Sequence, residues 1–376
     1  MDSIYYTMIY LDNAATSRFK PKCVIDALLS DVKNSANSGR SGHKASLSTT
    51  LAVENARNYF KEAFEFDNVV FTKNCTEALN LAIFGFVKNG MTVVTTENEH
   101  NSVLRPLYQL KSRGIVNLVI LPVINAQTPF EELIAYGKEA NLIVVSNASN
   151  VLGSMVDVLA LKDALKGYPV KILVDGAQGV PYADINGRCA DMIALPAHKG
   201  LHGIQGVGAL LFNNNIKLKP LVYGGTGTES FNLLQPDTIP DGLESGTLFS
   251  GGIRAFQEGA KWTYDNIKEI RYHVKRLATE CAYGLKNLGI VPLNNEYTSG
   301  IVTFNVGDID SQLVAGYLDQ RNIAVRGGIH CAPLIHKRLN TDIQGAVRIS
   351  FGVDNNEKDM LALLSSVERF IAKLEK

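Results

Sequence analysis

His198 and Lys199 follow Asp191 and the apolar run Met192-Ile193-Ala194-Leu195, which breaks at Pro196, and they open onto a turn containing Gly200, Gly203, Gly206 and Gly208. An ammonium at the end of a core strand is costly to bury, and burial lowers its pKa. That environment suits an amine that must attack a carbonyl. A lone lysine at such a place is more often a solvated loop residue. The choice therefore rests on what stands at the ends of the neighbouring predicted strands.

Those ends are polar. Segment 69–72 is followed by Lys73-Asn74-Cys75-Thr76-Glu77 and a helix. Its first backbone N–H groups and the Thr76 hydroxyl could hold an anion such as phosphate, or the residues could simply cap the helix. After 93–96 comes Glu97-Asn98-Glu99-His100, where His100 either stacks on a planar ligand or caps a helix. Asn147-Ala148-Ser149-Asn150 follows 142–146, and Asp175-Gly176-Ala177-Gln178 follows 170–174. Asp175 is either a cap or a charge aimed into a site. A phosphate cradle, a ring stacker, a carboxylate and a reactive amine are together what a pyridoxal phosphate enzyme needs. The lysine binds the cofactor aldehyde, the carboxylate keeps the pyridine nitrogen protonated, and neutral donors hold the phosphate.

Such residues meet only if their strands end side by side. From residue 69, short β-branched segments (69–72, 93–96, 116–121, 142–146, 170–174, 192–195, 207–212) alternate with helix-length stretches, which predicts an α/β fold with a mainly parallel sheet flanked by helices. Ligands of such sheets lie beyond the carboxyl ends of the strands. Ahead of the sheet come a short strand at 8–11, a helix opened by Pro21, and a connecting loop at 37–43 that carries Arg40 and His43. Residues 223–252 are irregular, which in a compact domain marks a functional or interface segment. Trp262, Ile267, Ile270, Val274, Leu277 and Leu285 then recur at helical spacing. Strands at 301–306, 323–326 and 346–351, a helix at 312–320 and a final amphipathic helix make a smaller α+β C-terminal domain. The expected division is an N-terminal arm, 1–20, packing with the small domain, then a large domain, 21–258, and the small domain, 259–376.

Composition narrows the partners. In a chain of 376 residues, 37 basic residues balance 37 acidic ones, which gives no electrostatic footprint for nucleic acid or an anionic membrane. No apolar run approaches membrane-spanning length, and the start, Met1-Asp2-Ser3, lacks the basic region of a signal peptide. Five cysteines at unrelated spacings argue against a disulfide framework. A cytoplasmic protein acting on small molecules is expected.

The motifs Asp12-Asn13-Ala14-Ala15-Thr16, Thr76-Glu77-Ala78, Glu99-His100, Ser149-Asn150-Val151-Leu152-Gly153, Asp175-Gly176-Ala177-Gln178, His198-Lys199 and Arg326-Gly327-Gly328-Ile329-His330-Cys331-Ala332 resemble, in order, the class V aminotransferase family of fold type I pyridoxal phosphate enzymes. Within it the chain looks like the cysteine desulfurase and selenocysteine lyase branch. The resemblance implies Lys199 as the Schiff-base lysine, Asp175 on the pyridine nitrogen, Gln178 on the ring hydroxyl and His100 on the ring face. It implies Thr76, the Cys75 backbone and His198 as phosphate ligands. Asn150, Arg326 and Arg348 would hold the substrate, L-cysteine or L-selenocysteine. It also implies a homodimer in which the partner's Ser250 reaches the phosphate, and a sulfur-acceptor protein. Two departures stand out: Pro196-Ala197 replaces a small hydroxyl residue and glycine before His-Lys, and Gly246-Thr247-Leu248-Phe249-Ser250 replaces Gly-Thr-Pro-Asn-Thr. One phosphate donor is thereby expected to be missing.

Cys331 separates the reaction types, since a thiolate can take the sulfur of bound cysteine as a persulfide whereas a transaminase has no use for it. A lone cysteine is usually inert and buried, and Cys75 is a rival because a helix N-terminus lowers a thiol pKa. No metal site is expected, since His330, Cys331 and His336, or His198 and His202, lack the context of a ligand set. An aminotransferase or β-lyase on the same fold, and a non-catalytic binding relative, remain the alternatives.

Overall fold

The structure, a computed structural model, describes residues 8–39 and 41–374. Arg40 and the chain start therefore lie outside the described residues. The chain opens with β1 (Ile9–Tyr10), α1 (Lys22–Asn34) and α2 (Lys44–Phe64). Strands and helices then alternate: β2 (Asn68–Thr72), α3 (Cys75–Phe86), β3 (Met91–Thr96), α4 (Asn101–Ser112), β4 (Val116–Leu121), α5 (Phe130–Gly137), β5 (Leu142–Ser146), α6 (Val158–Ala164), β6 (Lys171–Asp175), β7 (Met192–Pro196) and β8 (Gly208–Phe212). Strands β2 to β8 form one sheet in the order β2-β8-β7-β6-β5-β3-β4. It is parallel apart from β8, which runs antiparallel to both of its neighbours.

Both faces of the sheet are covered, which explains why its strands read as nearly continuous apolar runs. Side chains alternate between two cores along each strand. Ile143, Val145, Ile172, Val174, Ile193 and Leu195 join Phe60 and Phe64 of α2 and Leu161 of α6 on one face. Leu142, Val144, Leu173, Met192 and Ala194 join Leu79 and Ile83 of α3 and Leu107 of α4 on the other.

The rest of the chain comprises α7 (Ser250–Asp265), α8 (Ile267–Asn287), β9 (Ile301–Phe304), α9 (Ser311–Asp319), β10 (Ile323–Ala324), β11 (Arg326–Gly328), α10 (Pro333–Arg338), β12 (Ala346–Ser350) and α11 (Glu357–Leu374). A third core gathers Val274 and Leu277 of α8, Phe304 of β9, Val314 of α9, Ile349 of β12 and Leu363 of α11, together with Leu11 of the N-terminal arm. The helical region expected across residues 262–285 is two helices broken at Asn266. Position 258 lies inside α7, whose Ile253, Phe256 and Ala260 belong to the first core, so the change of core falls at Asn266. The segment 323–326 divides as well. β10 pairs parallel with β1, and β11 pairs antiparallel with β12, because the chain changes sheets between Ala324 and Arg326. Among the described residues no helix is long and apolar enough to cross a membrane.

Candidate active site

Beyond the carboxyl ends of β2, β3, β5, β6 and β7 lies a cavity of about 240 Å³. Lys199 enters it just past β7, and Asp175 stands at the last position of β6. Burial pushes the Lys199 amine below its usual range, although the Asp175 carboxylate pulls the other way. Burial also raises the Asp175 carboxyl, opposed by Lys199 and by hydrogen bonds from Ala177 N–H and the Cys75 thiol. Those bonds reach Oδ1 at 3.0 and 3.6 Å. Asp175 is thus both a cap and a charge aimed into the cavity.

The α3 N-terminus forms one wall. Asn74 caps it by accepting from Glu77 N–H at 2.9 Å, while the N–H groups of Cys75 and Thr76 precede the first internal acceptor of the helix. Gly208 of β8 presses on this turn: a Cβ there would lie 2.8 Å from the Cys75 nitrogen. The Thr76 hydroxyl meets the Ser102 hydroxyl at 2.8 Å. His100 caps α4, its Nδ1 accepting from Ser102 N–H at 3.0 Å, which leaves the proton on Nε2. Burial, with Lys199 and three arginines nearby, pushes His100 down to about 4, so the ring is neutral. His198 is also pushed down to about 4 by burial, and its buried Nδ1 has no hydrogen-bond partner. Gln178 donates to the Ala14 carbonyl at 2.8 Å and so ties the N-terminal arm over the cavity.

The opposite wall comes from the small unit. Arg326 and Arg348 face each other across β11 and β12, and both line the cavity. Arg348 is 1% exposed, donates to Asp12 at 2.9 Å and to the Asn150 carbonyl at 3.1 Å, and keeps Nε without a partner. Asn150 donates to the His330 carbonyl at 2.7 Å. Two arginines against the one Asp12 carboxylate leave positive charge for a bound anion. His330 and Cys331 are consecutive left-handed residues, φ 51° and 57°, each costing about 1–2 kcal/mol. The Cys331 carbonyl accepts from Asn101 N–H at 2.7 Å, next to His100. Cys331 itself is exposed.

The cavity therefore gathers Lys199, Asp175, His100, Gln178, Cys75, Thr76, His198, Asn150, Arg326 and Arg348. Cys331 sits on the loop beside it, after the lining residue His330. Ser250 is elsewhere in the same chain, its hydroxyl donating to Asp31 at 2.8 Å. The rival thiol, Cys75, is unsuited to attack: burial, reinforced by Asp175, raises its pKa well above the usual value despite its place at a helix N-terminus. Sequence reasoning assigned no role to Glu99 or Asp12, although both lie in motifs quoted above. Buried Glu99 accepts from Thr96 and from the N–H and hydroxyl of Ser146, so it ties together the ends of β3 and β5.

A profile described as Aminotransferase class-V matches residues 9–363. The chain belongs to that family. A probable cysteine desulfurase of Pyrococcus abyssi is 33% identical over 98% of this class-V chain and 95% of its own length. The apo structure of the cysteine desulfurase from Thermococcus onnurineus superposes with TM-score 0.87 and 29% identity over 97% of this chain and 95% of that one. The Escherichia coli cysteine desulfurase in its S-sulfonic acid form shares the fold, with TM-score 0.85 at 24% identity over 98% of this chain and 95% of that one.

Proposed function

We propose that this class-V chain is a pyridoxal phosphate-dependent cysteine desulfurase, releasing sulfur from L-cysteine, or selenium from L-selenocysteine, and leaving L-alanine. The residues fit the cofactor. The Cys75 and Thr76 N–H groups at the α3 start and the unpartnered His198 Nδ1 suit a phosphate, and Asp175 suits a protonated pyridine nitrogen beside Lys199. When bound, the cofactor supplies an electron sink for the substrate Cα.

The chain's own residues do the rest. Arg348, fixed by Asp12, and Arg326 hold the substrate carboxylate. The Lys199 amine, lowered by burial, takes the Cα proton and later returns it. His100, neutral with its proton on Nε2, would pack against the cofactor ring without adding charge. The Cys331 thiolate attacks the substrate sulfur, forming a sulfur–sulfur bond as the carbon–sulfur bond breaks, and a proton delivered to Cβ completes alanine. The exposed persulfide is then open to an acceptor protein. The observation that carries this reading over an aminotransferase is an exposed Cys331 on the loop directly after the cavity-lining His330, its carbonyl tied to Asn101 beside His100.

The test compares Cys331→Ala with Cys75→Ala, measuring alanine and sulfide. Cys331→Ala is expected to keep the cofactor and lose cysteine turnover by about 100-fold or more, the scale of losing a covalent catalyst. Cys75→Ala, which loses only a buried thiol, should keep most activity. Selenocysteine turnover should suffer less in Cys331→Ala, because the weaker carbon–selenium bond breaks without thiolate attack. Full cysteine activity in Cys331→Ala would instead support a β-lyase or aminotransferase.

A further inference from the structure

Behind the Cys331 turn, two buried histidines meet edge to edge, with ring centroids 5.6 Å apart and planes 29° from parallel. His330 Nε2 faces the Arg326 carbonyl at 3.3 Å, His330 Nδ1 faces His336 Nε2 at 3.4 Å, and His336 Nδ1 faces the Thr341 hydroxyl at 2.8 Å. Only one arrangement of protons satisfies this chain. The carbonyl can only accept, so His330 carries its proton on Nε2 and its Nδ1 must accept. His336 therefore donates from Nε2, and its own Nδ1 takes the Thr341 proton. Burial holds His330 near 2 and His336 near 4, so neither ring gains a second proton that would break the sequence of donors. The chain also joins separate elements: Arg326 lies on β11, while His336 lies on α10, whose Arg338 is paired with Glu97 past β3 at 2.7 Å.

We propose that His336 is a positioning residue for the sulfur-accepting thiol, holding His330 and Cys331 in their two consecutive left-handed conformations through the Thr341–His336–His330–Arg326 chain. Neither residue is a glycine, and the turn keeps this backbone because His330 is bonded from both ring nitrogens and the Cys331 carbonyl is held by Asn101. Loss of the His336 donor leaves His330 Nδ1 buried without a partner and frees the turn to relax, carrying the thiol away from its line of attack. This role rests on the proposed desulfurase reaction.

The test uses the full chain loaded with pyridoxal phosphate, in His336→Ala and His336→Gln, since a glutamine amide places an N–H where His336 Nε2–H lies. His336→Ala is expected to lower kcat for cysteine by about 10- to 100-fold, the cost of misplacing a reacting atom by about 1 Å, with KM nearly unchanged. His336→Gln should recover most of that loss. Nitrogen-15 histidine spectra of the wild-type protein give a reading independent of activity: both His330 and His336 should be Nε2–H tautomers with slowly exchanging protons. An Nδ1–H tautomer of either residue, or wild-type kcat in a folded His336→Ala, would overturn the proposal. Failure of the desulfurase reading itself shows separately, as full cysteine activity in Cys331→Ala.

Discussion

At the scale of single residues, burial decides protonation more than charge pairing does, and Glu99 shows the consequence. Desolvation raises its carboxyl from 4.5 to about 7, despite the hydrogen bonds from Thr96 and Ser146 that favour the anion. Between those values the folded protein holds a proton that the unfolded chain has lost, so this group makes stability fall as pH rises from 4.5 to about 7. Glu99→Gln cannot titrate. The wild type should lose about 2–4 kcal/mol relative to that variant across the window, read from urea midpoints at several pH values. Equal slopes for the two proteins would show that Glu99 does not titrate there. Lys199, Asp175 and His100 were legible because each follows an apolar run that ends at the cavity. The role of Glu99 was not, because its partners come from the ends of two different strands. The Cys75 thiol could only be left as a rival for a related reason, since sequence shows the helix start beside it but not the burial.

Elements aim these residues, and one glycine shows how tightly. The sequence suggests Gly208 both as a glycine of the turn after Lys199 and as part of the strand 207–212, and it opens β8 with its α-carbon toward the Asn74–Cys75 backbone at the start of α3. Gly208→Ala would put a Cβ 2.6 Å from the Asn74 carbonyl carbon and push the α3 N-terminus off the cavity. Such overpacking costs about 1–3 kcal/mol. We expect it to appear chiefly as weaker pyridoxal phosphate binding in an absorbance titration, with the fold retained. Unchanged affinity would remove α3 from the phosphate site. The strands were readable because burial on both faces makes them apolar throughout. The reversed direction of β8 and the division of 323–326 were not readable, since strand direction and partner are set by distant chain.

For the whole molecule, the irregular stretch before α7 is anchored at one end and bare at the other. Its Glu244 accepts two bonds from buried Arg57, at 2.8 and 2.9 Å, which fixes it to the sheet at Phe71. Phe231 and Leu233 are nevertheless fully exposed, and Leu234 nearly so. Ile25, Leu29 and Val32 of α1 and Leu47 and Leu51 of α2 add further exposed apolar side chains at helical spacing. Single exposed apolar residues are ordinary, but a held-out cluster marks a surface that another chain covers. A second copy is the occupant that the family resemblance implies, and it would bring its own Ser250 region toward this cavity. The protein is therefore expected to sediment as a dimer. Phe231→Asp combined with Leu233→Asp should shift it to a monomer, because carboxylates buried in an interface without partners are strongly disfavoured. Each chain of the variant should keep its thermal transition, since neither side chain touches a core, while cofactor affinity falls if the partner completes the site. A wild-type monomer with full activity at nanomolar concentration would rule out a shared site, and the loop would then need another partner.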